Sequence, residues 1–120
     1  MKILKILHRV YTDSMDKTLP FYETLLGEKA GNQFHYEERH LDLAQVGSLL
    51  ILAGSEKALL PIRDTSLTFL VDSIQEFMDY LESQPVKILE PPRKVPTGWN
   101  MRVQHPDGLI IEYVEHSPKP

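Results

Sequence analysis

The spacing of apolar residues divides the chain into two similar halves. Ile3 to Thr12 reads as an extended segment, in which Leu7, Arg9 and Tyr11 alternate onto one face. Met15, Leu19, Tyr22 and Leu26 then fall three and four apart, predicting a helix over 15–26 with one apolar stripe. Ser14 is placed to cap its start and Gly27 to end it. Pro20 lies inside that helix and predicts a local distortion. Strands are predicted over 33–37, 41–46 and 48–53, with Glu38-Arg39-His40 as a hairpin connection and Gly47 as a tight break.

A short linker, 54–63, leads into the same order again. Thr65 to Val71 is β-rich. Asp72, followed by Gln75, resembles a capping box for a helix whose apolar face is Ile74, Phe77, Met78 and Leu81. A strand over 86–89 precedes an irregular connection rich in proline: Pro91, Pro92 and Pro96, then Gly98. Strands over 99–104 and 109–115 flank the turn His105-Pro106-Asp107-Gly108. Each half is therefore strand, helix, strand, strand, strand. One helix covers only one face of such a sheet, so two halves are expected to share a core. The reading is a single compact domain, 1–120, with a first module over 1–53, the linker over 54–63 and a second module over 64–116.

Composition narrows the chemistry. The 120 residues include no cysteine, which excludes disulfides, a thiolate nucleophile and sulfur-ligated metal sites. With 17 acidic and 13 basic residues the formal charge is −4, which argues against a nucleic-acid partner. No apolar run reaches the roughly 20 residues that span a bilayer, so no membrane partner is expected. Lys5, His8 and Arg9 break the apolar start, which makes a poor signal peptide and points to a cytoplasmic location. A glycine-rich phosphate loop, a dinucleotide fingerprint and a G-x-S-x-G elbow are all missing.

Phe21-Tyr22 followed by Leu25-Leu26-Gly27 resembles the first-helix signature of the vicinal oxygen chelate superfamily, which includes glyoxalase I, bleomycin-resistance proteins and extradiol dioxygenases. His105-Pro106-Asp107-Gly108 with Ile111-Glu112-Tyr113 resembles its terminal hairpin, with His105 where that family usually has Asp. The resemblance implies an α+β fold: two βαβββ modules forming an eight-stranded curved mixed sheet around a cup, with helices outside and a tendency to form homodimers.

In metal-using members four ligands converge in the cup. Counting from the helix signatures places two of those positions at Leu7 and Ser66. Counting four residues from Gly108 and Gly47 places the others at Glu112 and Ile51. Only Glu112 is a good ligand, so no metal centre and no cofactor is expected. His8 is the alternative ligand, but it lies one step from Leu7 and faces the other way unless a bulge intervenes. His35, His40, His105 and His116 lack ligand spacing.

The candidate ligand-binding residues are then Arg9, Tyr11, Tyr36, Trp99, Arg102 and Glu112. Arg9 can hold an anion through paired donors, and Tyr11 offers a phenol or an aromatic wall. Phe34 and Tyr36 alternate with His35 and can line an apolar pocket. Asn100, Arg102 and Gln104 share a face, which the sequence leaves to either cup or solvent. Trp99 is a candidate rim or lid, or a contact between domains or subunits. Arg9 and Glu112 are expected to approach one cup without a transition metal between them.

Three functions follow. The first is a protein that binds a small, partly apolar and anionic ligand without the usual metal centre. The second is a metal-assisted lyase, isomerase or dioxygenase-like enzyme with Glu112 as its ligand or base. The third is a non-catalytic interaction module.

Overall fold

The computed structural model describes residues 1–117. Its elements run β1 (Ile3–Thr12), α1 (Met15–Leu26), β2 (Asn32–Tyr36), β3 (Leu41–Val46), β4 (Leu49–Ala53), α2 (Glu56–Leu59), β5 (Thr65–Val71), α3 (Ile74–Leu81), β6 (Lys87–Val95), β7 (Gly98–Gln104) and β8 (Ile110–His116). The α+β class and the eight-stranded mixed sheet are as expected. One group of strands runs β2-β3-β4-β1 and the other β5-β8-β7-β6. In each, the module's first strand lies parallel to its last, β1 to β4 and β5 to β8, and the other pairs are antiparallel.

The chain divides into two compact units. One is His8–Asp64; the other joins Met1–Leu7 to the chain from Thr65 onward. In the first, α1 starts at Ser14, whose hydroxyl accepts from the Lys17 N–H, and ends at Gly27 in the left-handed region. Pro20 stays within α1 at an exposed position, where a carbonyl deprived of its helical donor can turn to water. Leu19 packs with Ala44, Val46 and Ile51 on the α1 face of the sheet. The opposite face presents Leu41 and Leu52, which pack with Leu59.

Leu59 belongs to the segment that the sequence reading left as a linker. Residues 54–63 instead contain α2, capped by the Ser55 hydroxyl on the Ala58 N–H, and a 3₁₀ turn over Leu60–Ile62. The helix is one turn long, too short to show a periodic pattern. Only burial of Leu59, at 1% exposure, explains its place.

In the second unit, Val71, Ile74, Phe77 and Leu81 pack with Met101, Val103, Ile111 and Tyr113 between α3 and the sheet. The cap of α3 differs from the expectation: Ser73, not Asp72, accepts from the Glu76 N–H. Asp72 is engaged by the start of β1 instead, accepting from the Lys2 N–H at 2.8 Å and facing the Met1 ammonium at 3.7 Å. Those groups hold its carboxyl below the usual carboxylate range, the Lys2 hydrogen bond foremost.

Pro91 and Pro92 do not end β6 as expected. This strand is terminal in the sheet order, so one side of it needs no ladder donors, and proline is tolerated there. Its pairing with β7 is nevertheless irregular between Ile88 and Glu90 and again between Glu90 and Arg93. The hairpin closes at Gly98, where φ is 148° and a Cβ would collide with the Glu115 carbonyl.

Candidate functional site

The second unit places an unusual set of side chains on the sheet face turned away from α3. Along β7, Met101 and Val103 enter the α3 core, so Asn100, Arg102 and Gln104 project to the other face. Ile111 and Tyr113 do the same for β8 and leave Glu112 beside Arg102, its direct strand partner. On β5 the register shifts between Thr65 and Leu67. The extra residue, Ser66, is exposed, and Thr65 and Thr68 both join the polar face although they are three apart.

These side chains form a hydrogen-bonded network. Glu112 Oε1 accepts from the Thr68 hydroxyl at 3.4 Å, and Oε2 from Asn100 Nδ2 at 3.3 Å. Asn100 Oδ1 accepts from Arg93 Nε at 3.3 Å. Arg102 donates from Nε to Glu90 Oε1 at 2.9 Å and from a terminal nitrogen to Thr65 Oγ1 at 3.2 Å. Thr65 and Thr68 are buried, and the Arg102 side chain is only 18% exposed. Burying threonines and a guanidinium is costly unless they are well paired, and here they are.

In the first unit, Arg9 and Tyr11 also come together. An Arg9 terminal nitrogen donates to the Tyr11 hydroxyl at 3.1 Å, and that hydroxyl donates to the Ile62 carbonyl at 2.7 Å. The Arg63 guanidinium lies 5.7 Å from the centre of the Tyr11 ring, a cation–π contact. Tyr11 also lines an open cavity of about 380 Å³ with Val10, Thr12, Lys17, Thr18, Phe21 and Tyr22. Tyr36 is half-buried against Leu41, Leu52 and Leu59, and its ring lies 5.9 Å from that of Phe34.

Trp99 is 39% exposed and shares the alternation of Met101, which sets it on the α3 side of β7 and away from Arg102.

The histidines have local partners or are exposed. His35 Nδ1 lies 2.7 Å from Asp42 and Nε2 2.9 Å from Glu37; these carboxylates, Asp42 first, raise its pKa. His105 Nε2 lies 2.7 Å from the Tyr113 hydroxyl. Burial lowers the imidazole pKa and pushes the phenol up to about 12, and the two share a hydrogen bond whose direction follows the imidazole tautomer. His8 is exposed.

The ligand positions implied by the family resemblance need two corrections. Ile51 packs on the α1 face and cannot correspond to Glu112. Strand pairing gives the correspondence instead. Glu112 pairs with Thr68, five residues before the Ser73 cap, and Leu50 pairs with Arg9, five before the Ser14 cap. Leu50 is thus the counterpart of Glu112. Ser66 is bulged out, and Thr65 holds the inward position. Leu7 is a buried aliphatic residue. Leu7, Leu50, Thr65 and Glu112 do not make a donor set for a divalent metal, which favours several carboxylate or imidazole ligands. Among the described residues no group of three or more His, Asp or Glu side chains could hold a metal ion.

Residues 3–113 match the model of the Glyoxalase/Bleomycin resistance protein/Dioxygenase superfamily. The chain belongs to that superfamily. Among solved structures of this fold, an uncharacterized protein from Methanosarcina mazei is 46% identical, with a TM-score of 0.86 over 100% of this chain and 98% of that one. Methylmalonyl-CoA epimerase from Mycobacterium tuberculosis is 20% identical, with a TM-score of 0.73 over 97% and 90%. A Streptomyces coelicolor methylmalonyl-CoA epimerase variant in complex with 2-nitronate-propionyl-CoA is 16% identical, with a TM-score of 0.74 over 98% and 100%. No curated protein matches the chain. The first likeness is a family relationship, and the two epimerases show the shared fold. No helix among the described residues is long and apolar enough to cross a membrane.

Sequence reading named Arg102, Glu112, Arg9 and Tyr11 as candidates and passed over Thr65, Thr68, Glu90 and Arg93, the side chains that join Arg102, Glu112 and Asn100 in the hydrogen-bonded network. The β5 bulge hid the two threonines, because it breaks the period-two pattern. Pro91 and Pro92 concealed the strand that carries Glu90 and Arg93.

Proposed function

We propose that this superfamily member binds a small, partly apolar ligand bearing a carboxylate or comparable anionic group, without the metal centre of its chelating relatives. One observation carries the proposal: a partly buried sheet face that is polar, with Arg102 at 18% side-chain exposure beside half-buried Glu112 and buried Thr65 and Thr68. A partly buried polar face is more informative than an apolar one, since packing alone favours aliphatic side chains there. Arg102 supplies planar paired donors suited to a carboxylate. Glu112, held by Thr68 and Asn100, accepts a hydrogen bond from a donor on the ligand. In the first unit, Arg9 and Tyr11 are proposed as ligand contacts in their own right. Arg9 orients an anionic or carbonyl-bearing group, and Tyr36 supplies an aromatic surface.

The test is equilibrium binding by calorimetry against a panel of small carboxylates, their neutral amides, and methylmalonyl-CoA, which the names of the fold neighbours bring into the panel. Saturable binding of carboxylates but not amides, weakened by Arg102→Ala, is expected, and Arg9→Ala tests the contact in the first unit separately. Glu112→Gln keeps the size of the side chain and removes its charge, so it is expected to weaken ligands that carry a donor. Equal affinity for acids and amides, or affinity untouched by all three substitutions, overturns the proposal.

A further inference from the structure

Glu90 reaches Arg102 from the more exposed side: its side chain is 39% exposed and that of Arg102 18%. The two residues are strand partners, and the carboxylate accepts from Arg102 Nε through Oε1. Its other oxygen, Oε2, lies 3.9 Å from Arg93 Nε. Glu90 thus stands between two arginines, an inner one on the polar face and an outer one on its own strand. It also stands between the two interruptions of the β6–β7 ladder, with Pro91 and Pro92 directly after it. Fewer ladder bonds hold the backbone there than in a regular pair.

We infer that Glu90 is a built-in stand-in for the ligand's carboxylate: it occupies Arg102 in the empty protein and passes to Arg93 when an anionic ligand binds. The inference rests on the ligand reading given above. The exchange balances in charge. Before binding, Glu90 serves Arg102. Afterwards the ligand carboxylate serves Arg102, and Glu90 serves Arg93, which already lies 3.9 Å away. Each arginine keeps a carboxylate beside it throughout, so neither partly buried cation gives up its counter-ion. Competition from Glu90 lowers affinity for every carboxylate and leaves neutral ligands alone, so this residue sets how tightly anions bind.

Benzoate and its neutral isostere benzamide are the probes, followed through the backbone amides of Asn100, Arg102 and Glu112 by NMR titration of the whole chain. Glu90→Gln keeps shape and exposure, and it is expected to tighten benzoate about twofold to fivefold, the range of a partly exposed ion pair. Benzamide is expected to show no gain. Arg93→Ala is expected to weaken benzoate in the wild-type background, because Glu90 then has nowhere to go, and to have no effect once Glu90→Gln is present. Such a cycle separates an exchange partner from a direct contact, which would weaken binding in both backgrounds. If benzoate shifts these amides but Glu90→Gln leaves its affinity unchanged or weaker, the stand-in role is wrong and the ligand reading survives. If no variant responds to benzoate at these amides, both are wrong.

Discussion

The two modules share one plan and differ at two of four corresponding positions, where leucine stands for a polar side chain. In the second, the face away from α3 carries Arg102 opposite Glu112, with Asn100 and Thr68 alongside. In the first, the face away from α1 has Gln45 opposite Leu50, with Leu43 and Arg9 at the matching places. Leu43, Leu50 and Leu52 there pack towards Leu59 and Ile62 from residues 54–63. Phe34 corresponds in the same way to Arg93, since one pairs with Leu43 and the other with Asn100. One face keeps Arg9 and Gln45 but gives its other positions to leucines under a connecting segment, and its counterpart is polar at all four. Duplicated topology fixes where side chains point; it leaves the identity of those side chains free to diverge.

The comparison breaks most severely at the apolar face. Leu59→Ala removes a side chain that is 1% exposed and is expected to cost about 2–5 kcal/mol, read as a fall in the urea midpoint with an unchanged m-value. Loss near zero would mean that α2 does not hold this face. On the polar counterpart, Glu112→Leu copies the Leu50 solution. It deprives buried Thr68 of an acceptor and is expected to cost about 1–3 kcal/mol while abolishing ligand binding. A stable variant that still binds would remove Glu112 from the site.

Tyr11→Phe sharpens the comparison at smaller scale. The lost hydroxyl serves both Arg9 and the Ile62 carbonyl, so about 0.5–1.5 kcal/mol is expected, again by denaturant titration.

The smallest effect belongs to His35, which bridges Asp42 and Glu37 at the β2–β3 hairpin. Both ring nitrogens face carboxylates, and an imidazolium satisfies both by donating twice. Its folded pKa is raised, chiefly by the Asp42 hydrogen bond. The stabilisation is therefore fully present below the unfolded histidine value, near 6.5, and is lost as pH rises through the higher folded value. An NMR titration of the His35 ring is expected to show a lower midpoint in Asp42→Asn; an unchanged midpoint would separate the ring from Asp42.

Periodicity alone determined much of this molecule. Leu19 and Tyr22 marked α1, Ile74 and Phe77 marked α3, and alternation set Arg9 with Tyr11 and Arg102 with Asn100. These are local consequences of 3.6- and two-residue repeats, and they need no knowledge of a partner strand. The cap of α3, the turn of α2 and the reach of β6 were decided elsewhere. Ser73 and Asp72 are both good caps, and only the arrival of Lys2 at Asp72, 70 positions away in sequence, separates their roles. Ser66 looks like any alternating strand residue until pairing with β8 shows that it is the extra one. Counting from Gly47 selected Ile51, whereas pairing with Arg9 selects Leu50, because a count along the chain carries no record of which face the neighbouring strand imposes. The chemistry of the polar face was written in the residues; which of them meet was settled by strand register, a property of pairs that the linear order does not contain.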